Sequence, residues 1–151
     1  MTVGRCRKAH LREGARDYVS RIGRYAALEE IEVREEKATK GRPVGEVLRR
    51  EGERLLRAVP AGSFVIALDR KGESCRSEDL AERISKLGLT GKSHLAFVVG
   101  GAFGLGEQML QQADWRLSLS EMTFPHELAR LVLLEQIYRA FTILRGEDYH
   151  K

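Results

Sequence analysis

The chain has 151 residues, 42% of them apolar and 32% charged, with a formal net charge of +4. That is the size and composition of one globular domain with a real core, and no run approaches the roughly 20 apolar residues of a membrane span. Arg5, Arg7 and Lys8 precede no apolar stretch, so a secretory signal is not expected, and Cys6 and Cys75 match no metal or disulfide spacing.

Taken in order, Met1–Gly4 reads as the tail of a strand. Ala9–Tyr25 reads as a helix, with Leu11, Ala15, Tyr18, Val19 and Ile22 on one face and Arg12, Arg16 and Arg21 on the other. Glu29–Arg34 alternates as a half-buried strand, and the basic stretch to Gly45 is a loop. Val44–Val59 is an amphipathic helix whose arginines interleave with Glu46, Glu51 and Glu53 at spacings that suit pairing along the helix. Ser63–Asp69 is a continuous apolar run, expected to be a strand covered on both faces. Ser77 is placed to cap a helix running to about Leu87. Ser93–Val99 and Trp115–Ser120 are two further strands, and Glu127–Leu144 is a helix apolar almost all round. The alternation predicts a single-domain layered α/β fold over 1–151, with a mainly parallel sheet of about five strands.

Charge is unevenly placed. Residues 1–60 carry 15 Lys/Arg against 10 Asp/Glu, and residues 61–151 carry 11 against 12. A basic half beside a near-neutral one suits a polyanion-binding face, although a solvated arginine-rich helix would look the same.

Several motifs fail on inspection. Gly91-Lys92-Ser93 ends like a phosphate-binding loop, but its first glycine would fall at Lys86 and it precedes a strand. Gly100-Gly101-x-x-Gly104-x-Gly106 follows a strand and can open a short helix, yet its spacing is wrong for a dinucleotide fingerprint. Ser118, Ser120, Thr123 and His126 lack a nucleophile elbow and an orienting acid. What remains is two strand-end loops, one glycine-rich and one Ser/Thr/Pro-rich, where an open α/β sheet places its ligands. The apolar closing helix needs a second packing partner, most simply another subunit.

Read together, Val99-Gly100-Gly101-x-x-Gly104-Leu105, Leu117-Ser118-Leu119-Ser120-x-Met122-Thr123-Phe124-Pro125-His126, Glu135-Gln136-Ile137-Tyr138-Arg139-Ala140-Phe141 and Tyr149-His150 resemble the SPOUT-class ribosomal RNA large-subunit methyltransferase H family, the 23S pseudouridine-N3 methyltransferases. The resemblance covers nearly the whole chain. It implies a cytoplasmic homodimer with a C-terminal trefoil knot over about 93–145. It also implies S-adenosylmethionine held by Leu68, Gly100, Leu119, Ser120, Glu121, Met122, Thr123 and Phe124, with no metal. The target would be 23S ribosomal RNA in the assembled ribosome, methylated at N3 of a pseudouridine. His126, Arg130, Arg139 and His150 are the candidates for handling the N3 proton or charge, and Arg130, Arg139, Tyr149 and His150 for contacting the RNA. The family begins with a full first strand, of which only Met1-Thr2-Val3-Gly4 stands here, so a shortened first strand is expected. A methyltransferase for another RNA such as transfer RNA, and an RNA- or ribosome-binding module without turnover, are the alternatives.

Overall fold

The structure, a computed structural model, describes residues 1–150, the last by its backbone alone; the His150 side chain and Lys151 lie outside the described residues. Five strands alternate with five helices: β1 (Thr2–Val3), α1 (Ala9–Ile22), β2 (Glu32–Val33), α2 (Val44–Ala58), β3 (Phe64–Ser74), α3 (Ser77–Leu89), β4 (Leu95–Val98), α4 (Glu107–Gln112), β5 (Trp115–Ser118) and α5 (His126–Arg145). All pairings are parallel, in a two-stranded ladder β1–β2 and a three-stranded ladder β4–β3–β5. The two are joined by one parallel bridge, Thr2 to Val99. The strands therefore form two ladders meeting at β1, rather than one continuous five-stranded ladder.

Handedness explains the layers. Each βαβ step must be right-handed, so steps that move one way across the strands put their helix on one face, and steps that move back put it on the other. Accordingly α1, α3 and α5 pack together on one side, while α2 and α4 pack together on the other. Ile22, Val99, Leu133, Leu134 and Ile137 fill the space under α5, and Val3, Leu55, Val65, Val98 and Met109 fill the space under α2.

Three local readings are corrected. Strand β3 does not stop at Asp69: it leaves the ladder after Leu68 and re-pairs with β5 at Glu73 and Ser74. The return is held by Glu73, which accepts the Trp115 indole N–H and an Arg83 guanidinium N–H, both at 2.8 Å. Ser77 is not the cap of α3. It is the first helical residue and donates to Gln136 at 2.7 Å, while the Asp79 carboxylate accepts the Arg76 amide at 3.0 Å. Glu51 does not share in the pairing along α2: Arg49 and Arg50 pair with Glu46 and Glu53, and Arg54 with Glu36.

Strand β1 spans Thr2–Val3, and Met1 before it borders a hollow. The Met1 amine donates to the Phe97 carbonyl at 2.7 Å, at the wall of a cavity of about 570 Å³. Leu28, Ile31, Leu95, Phe97, Leu133 and Phe141 are among its lining, at the end of the molecule where the strands begin. Burial lowers the Met1 amine from 8.0 to about 6, with the Arg130 charge acting in the same direction. Between those two values the unfolded chain binds the extra proton, so stability must rise with pH across about pH 6 to 8, by roughly 2–3 kcal/mol. Denaturant titrations at pH 6 and 8 check this, because N-terminal acetylation is expected to remove the difference. An acetylated chain with the same pH dependence would show that the amine is not its source.

Candidate functional site

Beyond the strand ends lie further loops, and Thr2, Val99 and Arg130 border both this region and the cavity beside Met1. Leu68, Val99 and Leu119 belong to one apolar cluster, which places the ends of β3, β4 and β5 side by side. A cleft beside them is lined by Gly4, Cys6, Gly100, His126, Glu127 and Arg130, among others. The larger cavity beside Met1 contains none of the eight residues expected to hold a cofactor. Of those eight the small cleft contains Gly100; the strand-end loops bear the glycines, hydroxyls and imidazole suited to ligands of parallel sheets, which makes this region the candidate site.

The glycine loop has a definite shape. A Cβ on Gly100 would stand 2.4 Å from the Gly104 carbonyl carbon and oxygen and 2.8 Å from the Leu105 amide nitrogen. Gly104 itself sits at φ +82°, in the left-handed region, and its amide donates to the Gly101 carbonyl at 3.1 Å. The chain thus folds back on Gly100 at a distance no side chain tolerates. Behind the loop lies Glu51, only 4% exposed. Its Oε1 accepts the Glu36 amide at 2.8 Å and its Oε2 has no hydrogen-bond partner. Desolvation raises its pKa above the usual carboxylate range. A Cβ on Gly101 would meet Oε2 at 3.0 Å, so this buried carboxylate forms the floor of the loop. The pairing pattern of α2 hid it.

The second loop, Leu119–Phe124, is anchored at its root. The buried Ser118 hydroxyl lies 3.1 Å from the Ser120 carbonyl and 3.2 Å from the Arg70 carbonyl, tying this loop to the excursion after Leu68. Ser120 Oγ accepts the Met122 amide at 3.0 Å, a side-chain turn that lifts the tip outward. Met122 is 74% exposed, and Phe103 of the glycine loop is exposed as well. The amides of Glu121, Thr123 and Phe124 make no hydrogen bond among the described residues. Exposed apolar side chains on both loops and unused amides on the second leave surface there suited to a ligand.

His126 opens α5 beside this cleft, and Arg130 follows one turn later on the same face. Arg130 is not free. Its side chain is 12% exposed, and the guanidinium bonds Glu30 at 2.7 Å and Glu32 at 2.8 Å, pinning α5 to the β2 edge. Its partners' hydrogen bonds outweigh the cost of burial and raise its pKa, so it stays cationic. Arg139 lies 13 residues beyond His126, about 20 Å further along the helix. It pairs with Glu135 at 2.5 Å, which raises its pKa, and stands over the Tyr149 ring at 4.9 Å. Tyr149 packs edge-on against Tyr138 at 4.7 Å and bonds Tyr18 and Glu135, each at 3.2 Å. Burial, and then the Tyr18 hydrogen bond, push its hydroxyl pKa well up. Within one chain the structure brings Leu68, Gly100, Leu119–Phe124, His126 and Arg130 together, and holds Arg139 and Tyr149 apart from them. The His150 side chain lies outside the described residues.

Among the described residues no group of His, Cys, Asp and Glu is arranged to hold a metal, and no helix is long and apolar enough to cross a membrane. The closing helix finds partners within its own chain, packing on α1 and α3, although Leu144 stays exposed.

Residues 1–150 match the family model described as predicted SPOUT methyltransferase. The chain is 47% identical over 154 aligned positions to the ribosomal RNA large subunit methyltransferase H of Carboxydothermus hydrogenoformans, covering 100% of this chain and 97% of that one. It is 48% identical to the protein of the same name from Syntrophotalea carbinolica, over 99% of this chain and 96% of that one. Among solved structures it is similar to a probable methylase family protein from Haemophilus influenzae, with a TM-score of 0.54 and 12% identity, covering 99% of this chain and 68% of that one. That last likeness is one of fold alone.

Proposed function

The chain belongs to the SPOUT methyltransferase family, and from that premise we propose that it moves a methyl group from S-adenosylmethionine to N3 of a pseudouridine in 23S ribosomal RNA. The observation that carries this reading is the convergence of the Gly100 loop and the Leu119–Phe124 loop on His126, with relatives named for ribosomal RNA methylation over their whole length.

The residues fit such a cofactor. Leu68, Leu119 and Phe124 are half-buried apolar side chains suited to the faces of an adenine ring. The unused amides of Glu121, Thr123 and Phe124 are donors for its edge, and the Glu121 carboxylate suits a cationic ligand. Gly100 lets the backbone of the glycine turn approach a ligand closely, and the Ser120 turn sets the outward course of Met122. When bound, S-adenosylmethionine would supply an electrophilic methyl carbon on its sulfonium, with the thioether as leaving group.

The remaining chemistry belongs to this chain. N3 must lose its proton; of His126 and Arg130, the two candidates in the cleft, the guanidinium held cationic cannot accept it and the imidazole can. Arg130, bonded to Glu30 and Glu32, orients the start of α5 and with it His126. Positioning of two reactants in a dry cleft supplies most of the rate.

Two further parts of the reading are proposals. The first is a homodimer in which Arg139, Tyr149 and His150 of one subunit complete the cleft of the other, since about 20 Å of helix separates Arg139 from His126 in one chain. The second is a knot formed where the segment from β5 into α5 passes through the loop after β4. Its substrate is taken as ribosomal RNA within the ribosome, in the cytoplasm, with no metal required. Transfer of labelled methyl from S-adenosylmethionine to large-subunit RNA tests the reading.

A further inference from the structure

The structure sorts the cations of the basic half into two kinds. Four arginines of α2 and the loop before it are neutralised, Arg49 and Arg50 on Glu46, Arg49 also on Glu53, and Arg42 and Arg54 on Glu36, whereas Lys37, Lys40 and Arg57 have no ion pair among the described residues. Arg7 is paired with Glu35, and Arg21 with Asp17 while lying against Tyr18 and Tyr138. On α1 the pattern differs. Lys8, Arg12 and Arg16 stand at successive i,i+4 positions, all exposed, and no side-chain ion pair or hydrogen bond engages them among the described residues. Arg5, exposed and equally unengaged, lies just before them.

Three cations four residues apart on a helix form one stripe, here about 12 Å long. Its direction is what gives it meaning. The stripe begins at the cleft: the Lys8 amide donates to Glu127 at 3.1 Å, and Cys6, next to Arg5, lies 3.5 Å from the same carboxylate. Gly4 and Cys6 line the cleft with His126. Arg12 is near enough for its charge to act on the Cys6 thiol. A chain of unpaired cations thus runs outward from the reactive end of the molecule along a rigid element. Carrying several unpaired like charges on one face repels itself and adds nothing to stability, so the arrangement suits an external polyanion.

We propose that Arg5, Lys8, Arg12 and Arg16 form a track for the phosphates of the substrate RNA strand, which positions the target base over the cleft. This rests on the RNA methyltransferase reading above. At about one phosphate per 3.4 Å of axis along a strand, the stripe can neutralise two or three phosphates. It acts on positioning and not on chemistry, because none of the four reaches the reacting atoms.

The test uses the full-length protein with Lys8, Arg12 and Arg16 all replaced by Ala, beside a control with Arg49 and Arg50 replaced by Ala. Binding of a large-subunit RNA fragment is measured across potassium chloride concentrations without cofactor, and methyl transfer is measured in parallel. The stripe variant is expected to lose at least tenfold in RNA affinity and about two units in the salt slope. Its KM for RNA should rise while kcat and S-adenosylmethionine affinity stay within about twofold, and the control should bind as wild type does. A stripe variant that binds RNA with wild-type affinity and slope would overturn the proposal, as would an equal loss in the control, which would mean bulk charge. If wild type binds RNA through the stripe but transfers no methyl group, the methyltransferase reading fails while the track stands.

Discussion

Gly100→Ala is expected to abolish cofactor binding and to cost about 2–4 kcal/mol of stability. The added methyl would stand 2.4 Å from the Gly104 carbonyl, and backbone on both sides leaves it nowhere to turn. Either the glycine turn opens or the end of β4 shifts, and in both cases the loop loses its alignment with Leu119–Phe124. Gly104→Ala makes an informative comparison. Nothing lies within 4 Å of a Cβ there, so only the left-handed φ of +82° is penalised, at about 1–2 kcal/mol. Titration calorimetry with S-adenosylmethionine, together with denaturant melts, reads both variants. Gly100→Ala that binds the cofactor as wild type does would show that the loop's closure is not part of the site.

His126→Ala should lower kcat by about 10²–10⁴-fold, the range for removing a proton acceptor, with cofactor affinity within a few-fold of wild type. Arg130 cannot substitute, being held cationic by Glu30 and Glu32. Arg139→Ala should also lower kcat if that residue serves the partner's cleft. Dimers formed from equal amounts of the two inactive variants would then contain one intact site in each mixed pair, recovering about a quarter of wild-type activity. No recovery, with mixed dimers demonstrated, would show that Arg139 does not serve the partner's cleft. Wild-type kcat in His126→Ala would remove the histidine from the chemistry.

The sequence was informative where structure is set by neighbours along the chain. The starts of α1 and α2 fell where their apolar spacing placed them, and the two loops at strand ends were visible from their glycines and hydroxyls. The excursion after Leu68 was not legible, because its return depends on Glu73 meeting Trp115 and Arg83, residues far apart in sequence. Glu51 was hidden for a related reason: on a helix rich in arginine its spacing suggests a surface pair, whereas packing turns it inward under Gly101. Arg130 and Arg139 were legible as candidates, but their acids, Glu30, Glu32 and Glu135, decide what they can do. The separation of Arg139 from His126 follows from helix rise alone and could have been computed beforehand.

The measurement that bears most directly on this account is methyl transfer from labelled S-adenosylmethionine to three substrates: assembled ribosomes, free 23S RNA and bulk transfer RNA. Modified nucleosides are then identified by mass spectrometry. The account predicts label in the large-subunit RNA of ribosomes, recovered as a pseudouridine methylated at N3 and absent from the His126→Ala reaction. Label confined to transfer RNA, or no label in any of the three from a protein that binds the cofactor, would contradict it.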